Sequence, residues 1–157
     1  MQMTAKQRTA LRQQLLAECR RAQQQKADTA RKAMLLVEES AHETQGAIED
    51  KFESFREACH IQRDLFARQL DEALTGLQVL QRVSDVRPST DKPSLGSVVV
   101  TDSQTFFIAL SLGEIKVEGQ PYCVISAFSP IYQAMTSARP GDAFTFRGKS
   151  YQVQAVY

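Results

Sequence analysis

Val86-Arg87-Pro88-Ser89-Thr90-Asp91-Lys92-Pro93-Ser94-Leu95-Gly96 is where the chain changes character. Two prolines, two serines and a glycine in eleven residues interrupt any regular element, so the stretch reads as a boundary. On its N-terminal side, residues 1–83 contain no proline and two glycines, Gly46 and Gly76. They are rich in Ala, Gln, Glu, Arg and Leu, which lose little on entering a helix. On its C-terminal side the chain turns to Val, Ile, Phe, Tyr and Thr, which suit a pleated, half-buried surface. The expected division is a helical part at 1–84, a linker at 85–94 and a strand-rich part at 95–157.

In the helical part, apolar or small residues recur in steps of three and four. Leu11, Leu15, Cys19, Ala22, Ala30, Ala33, Val37 and Ala41 form one stripe, interrupted by Lys26. Ile48, Phe52, Phe55, Cys59, Phe66, Leu70, Ala73, Leu77 and Leu80 form a second, interrupted by Gln62. Such stripes bury one side of a helix against another helix. The pattern breaks between His42 and Ala47, where Gly46 permits a turn. The two arms are nearly equal in length about residue 46, which favours an antiparallel hairpin with its tip near 42–50. Each helix would span roughly 50–60 Å at ~1.5 Å per residue. The competing arrangement is one continuous helix in an intermolecular coiled coil.

The strand-rich part divides at turns. LGSVVVTD and TFFIALS flank Ser103-Gln104, and EIKV and QPYCVISAF flank Glu118-Gly119. SPIYQAMTSA reads as a short helix, with Ser129 as N-cap and Pro130 at the first helical position. Arg139-Pro140-Gly141-Asp142 makes a turn, and AFTFRG and SYQVQAVY close a hairpin around Gly148-Lys149. The expected product is an antiparallel sheet of about five strands with one short helix. Its core would be filled by aromatics: Phe106, Phe107, Tyr122, Phe128, Phe144, Phe146 and Tyr151. The overall class is α+β.

With 157 residues and a net charge of +1, the chain lacks the basic excess of a protein that lives on phosphate contacts, so direct DNA binding is not expected. No apolar run approaches the ~20 residues needed to span a bilayer, and MQMTAKQRTALRQQ lacks the apolar core of a signal peptide. A cytoplasmic monomer is the expectation. Cys19, Cys59 and Cys123 lack metal-ligand spacing and read as buried or inert thiols. Cys59-His60 are consecutive, hence ~100° apart on a helix, which separates them too far for a nucleophile–base pair. His42 reads as an exposed turn residue. No phosphate loop or metalloprotease motif occurs, so the chain does not read as an enzyme. Charge is unevenly spread, however. Residues 38–57 carry seven acids against two bases, a net −5, while the remainder is +6. Carboxylates gathered at a helical tip repel one another and attract cations.

A helical hairpin followed by GSVVV, SPIYQAM, a PGD turn and a closing YQVQAVY resembles the Gre transcript-cleavage factor family of bacterial RNA polymerase. The resemblance implies an FKBP-like fold for residues 95–157. It implies that this part docks on a coiled coil of the largest polymerase subunit, at the rim of the secondary channel, while the hairpin enters the channel. Ser129, Pro130 and Ile131 match the family's docking segment. Tyr132 completes the segment where the family commonly has alanine. Cleavage-competent members carry Asp-x-x-Glu in the tip turn. These acids help to hold a second Mg²⁺ that activates water against backtracked RNA. Aligned on Phe52 and Arg56, this chain has Gln45 and Ile48 at those two positions. Glu43, Glu49, Asp50 and Glu53 lie close by. Asp50-Lys51-Phe52-Glu53 spells the motif, but inside the second helix. The tip acids would assist catalysis, with Glu49 and Asp50 as Mg²⁺ ligands only within the polymerase complex. Stimulation and modulation of cleavage both remain open. Two other functions compete: a structural or chaperone-like hairpin module, and, by fold analogy, a prolyl isomerase, which fold alone does not confer.

Overall fold

The structure is a computed structural model and describes residues 3–43 and 49–157, with 43 and 49–52 described by their backbone. Helix α1 spans Ala5–Glu43 and helix α2 spans Glu49–Asp85. The sequence starts α1 with a reciprocal cap. Thr4 Oγ1 accepts from the Gln7 N–H at 3.2 Å, and Gln7 Oε1 accepts from the Thr4 N–H at 2.8 Å. Each satisfies a donor that the first helical turn leaves free. The turn expected at Gly46, and with it Gln45 and Ile48, lies outside the described residues.

By compactness the chain forms two units, Met1–Arg20 with Gln78–Tyr157, and Arg21–Leu77, so the division falls inside both helices. In the Arg21–Leu77 unit the helices pack together. Gln23 meets Ala73, while Glu38, further along α1, meets Arg63, earlier in α2. The helices therefore run antiparallel. Their buried seam is made of Gln23, Ala27, Ala30, Cys59 and Ala73. This departs from the expected stripe, which passed from Ala22 over Lys26 to Ala30. The seam runs one position along, through Gln23 and Ala27, because a small side chain and a bonded amide can be buried where a lysine cannot. Phe55 also departs: it is 44% exposed. With Glu38 level with Arg63, Phe55 lies where α1 comes to its end, and little helix is left to cover it.

The other unit holds the bases of both helices and the sheet. The helix bases bury large aliphatics, Leu11, Leu15, Leu16, Leu80 and Val83, together with Cys19. Val98–Thr101 (β1), Thr105–Ala109 (β2), Gly113–Val117 (β3), Gln120–Ser126 (β4), Ala143–Phe146 (β5) and Lys149–Val156 (β6) form one sheet in the order β3-β4-β2-β1-β6-β5. The class is α+β, as expected, but the sheet has six strands and is mixed. β4 runs parallel to β2, with Phe106 opposite Cys123 and Ala109 opposite Ser126. The cause is β3. It pairs antiparallel with β4 on the outer edge, so the β3–β4 hairpin places β4 directly beside β2.

Both tight hairpins use two-residue loops, Glu118-Gly119 and Arg147-Gly148, with φ of 53°, 78°, 51° and 78°. These positive angles match the right-handed twist of the flanking strands. The second loop lies one residue earlier than the sequence reading placed it. Between β1 and β2, Thr101 Oγ1 bonds both the carbonyl and the N–H of Gln104 and closes the turn. Pro130–Met135 forms the short helix α3. The core between α3 and the sheet contains Phe106, Ile108, Met135, Phe144, Tyr151 and Val153. The Phe144 and Tyr151 rings stack at 5.0 Å, and Phe106 meets Tyr151 edge-on at 6.0 Å.

Candidate partner-docking site

The chain leaving β4 turns sharply before α3, and one residue organises the turn. Ser126 Oγ accepts from the Phe128 N–H at 2.9 Å. The Ser126 carbonyl accepts from the Ser129 hydroxyl at 2.7 Å and from the Ser129 N–H at 3.1 Å. Ser129 Oγ in turn accepts from the Tyr132 N–H at 3.4 Å, as an N-cap should. Gln133 Nε2 donates back to the Ala127 carbonyl at 3.4 Å. Residues 126–133 are thus tied at both ends of the turn.

The four expected contact residues fall into three groups. Ser129 spends its hydroxyl on the turn and cap. Pro130 is exposed at the helix start, with its missing N–H at a position where no partner is needed. Ile131 and Tyr132 are half-buried and pack on the core, and Tyr132 Oη donates to the Pro93 carbonyl at 3.4 Å.

Phe128 was expected among the core aromatics. It is instead 92% exposed. Its backbone is fixed by Ser126, while the β4–α3 turn faces its side chain outward. An exposed phenyl ring on a hydrogen-bonded backbone, two residues before an exposed proline, is an apolar knob on this turn. The sequence signal was its position, one residue before an N-cap and outside the period-two pattern of β4.

Glu43 closes α1, and Glu49 and Asp50 open α2, so these positions stand at the C-terminal end of one helix and the N-terminal start of the other. The side chains of Glu43, Glu49 and Asp50 lie outside the described residues. Glu53 is exposed. Positions 50 and 53 are three apart in α2 and share a helix face. Among the described residues no group of three His, Cys, Asp or Glu side chains is arranged to hold a metal ion.

Below the tip, a cavity of about 190 Å³ is lined by His42, Arg56, Cys59, His60 and the Glu38–Arg63 ion pair. Cys59 is buried and His60 exposed, consistent with consecutive helical positions. Burial pushes the Cys19 thiol up to about 12, helped by Glu18. It also raises Cys123, with Glu114 adding to the effect. Neither is a ready nucleophile, since the thiolate is the reactive form.

No protein-family model matches the chain, and no curated protein matches it. Two solved structures align with most of it. One is described as the structure of the transcription factor Gfh1, with 17% identity over 89% of this chain and 94% of that one, at a TM-score of 0.36. The other is GreA factor homolog 1 (Gfh1) of Thermus thermophilus, with 18% identity over 89% and 95%, at a TM-score of 0.33.

Proposed function

We propose that the chain is a Gre-like transcription regulator. It docks on bacterial RNA polymerase through the β4–α3 turn and directs the joined ends of its helical hairpin into the secondary channel. There it stimulates or modulates cleavage of backtracked RNA. The observation that carries this reading is the turn itself. Ser129-Pro130 opens a short helix in the sequence context that resembles the Gre docking segment, and it presents Phe128 and Pro130 on a hydrogen-bonded frame.

The chemistry at the channel's end belongs to the polymerase. Mg²⁺ bound there supplies a polarised water and charge neutralisation for phosphodiester hydrolysis. Of this chain's residues, Asp50 and Glu53, on one helix face, and Glu49, at the helix start, are the carboxylates to lend. Glu43 contributes negative charge from the other helix. The protein itself is not an enzyme in this reading.

Incubation with a stalled, backtracked polymerase tests the proposal, with cleavage and binding both measured. A change in cleavage rate together with co-purification is expected. No binding and no effect on cleavage or elongation would overturn it.

A second reading has its own observation. Leu35, Leu36, Ile61 and Leu65 are exposed on the hairpin, Ile61 to 65%. Exposed aliphatics suit a hairpin that grips a client or another copy of itself. Light scattering separates the two readings, because a stable dimer lost on Ile61→Lys would favour self-association.

A further inference from the structure

Gln23 is a polar side chain in the buried seam of the hairpin, only 5% exposed. Its Nε2 donates to the Ala73 carbonyl at 3.1 Å, and its Oε1 has no partner among the described residues. The orientation of the amide is dictated by chemistry. A main-chain carbonyl only accepts, so the nitrogen must face it. Burying an amide with half of its capacity unused is costly and calls for a reason.

The reason is found three residues further along α2. A helical side chain lies over the turn N-terminal to its own Cα, so the side chains at 76 and 77 are the ones that flank the carbonyl of residue 73. Residue 76 is Gly, buried within the helix. Glycine has no side chain, which leaves the Ala73 carbonyl open on the seam. It accepts from Gln23 as a second donor, beside its own helical bond. Glycine is otherwise among the worst residues for a helix interior.

The fully buried remainder of this seam is small, Ala27, Ala30, Cys59 and Ala73, with Val37, Phe66, Leu70 and Leu77 half-buried along its edges. Small residues let helices approach closely, and the larger side chains at the edges are apolar, so they bind the helices without selecting one alignment by a directional bond. Buried polar residues in such seams set register at some cost in stability. We infer that Gln23 and the notch at Gly76 are the register lock of the hairpin. The pair fixes which residues of α1 lie opposite which residues of α2. The inference does not rest on the polymerase reading.

Two substitutions test it by NMR and thermal unfolding. Gln23→Met keeps length and flexibility and removes the amide. The expected result is a Tm equal to or above that of the parent, with doubled or exchange-broadened backbone amide signals across residues 21–77. A single sharp set with unchanged interhelical contacts would overturn the lock. Gly76→Ala, judged by helix propensity alone, should raise Tm. A lock requires the reverse: a lowered Tm and loss of the contact between the Gln23 side-chain amide and residues 73–76. A raised Tm with that contact kept would also overturn it. The second variant decides the matter if Gln23→Met fails to fold.

Discussion

The N–H of Phe128 donates to Ser126 Oγ at 2.9 Å, and that bond fixes the backbone from which an exposed phenyl ring projects, two residues before Pro130. A large exposed aromatic on a constrained turn has little backbone freedom left to lose on binding and much apolar area to bury, which is what makes such residues strong contact points. Phe128→Ala should therefore leave the fold intact, with a stability change within ~0.5 kcal/mol, as for exposed positions generally. It should weaken polymerase binding by about ten- to a hundredfold, the range of a binding hot spot. Calorimetric unfolding and a binding titration check the two halves. Unchanged affinity would remove Phe128 from the docking surface.

Ser129 works differently. Its hydroxyl both donates to the Ser126 carbonyl and caps α3, so its loss acts through the turn. Ser129→Ala should cost about 1 kcal/mol of stability, the usual value of a lost N-cap. Ser129→Asp keeps the cap and loses the donor. It should recover part of that stability in urea denaturation. Equal stability in both variants would show that the donated bond, not the cap, dominates.

These residues also mark how far the sequence could be read. The α+β division was legible, because the prolines at 88 and 93 separate two compositions. The N-cap at Ser129 and the loop at Glu118-Gly119 were legible as well, since caps and tight turns depend on neighbours in the chain. The parallel pairing of β2 with β4 was not, because it depends on which strand β3 chooses across space. Nor was the exposure of Phe128. Composition makes a phenylalanine a core residue by default, and only the turn geometry set by Ser126 turns it outward. Gln23 was hidden for a similar reason: an amide reads as surface until a glycine on another helix opens a carbonyl to it.

The acids at the start of α2 carry a prediction in which stability and activity separate. Glu49 and Asp50 occupy the first turn of the helix, where negative charge meets the positive end of the helix dipole. Glu49→Ala with Asp50→Ala should thus lower stability by no more than ~1 kcal/mol, by that same dipole argument. Under the proposed Gre-like function, the effect on transcript cleavage should nevertheless be abolished, while binding to the polymerase is kept. Cleavage assays on backtracked complexes, with binding measured in parallel, check this. Full activity in the double variant would remove these carboxylates from the chemistry.

Alkaline pH gives a prediction about the helix bases. Burial raises the Cys19 thiol from 9.0 to about 12, so the folded state holds its proton where the unfolded state releases it. A group raised on folding stabilises fully below its unfolded value, and that contribution is lost as pH rises toward the folded one. Stability should accordingly decline between pH 9 and 12, the two values that bound the shift. Tyr122 and Tyr157 are also raised, chiefly by burial, and add to the decline in the same direction. Cys19→Ala should lower stability at neutral pH through lost packing, but make the fall above pH 9 shallower without abolishing it. Urea midpoints measured from pH 8 upward decide the matter. A variant whose alkaline slope equals that of the parent would mean that Cys19 gains its proton no more tightly in the folded chain than in the unfolded one.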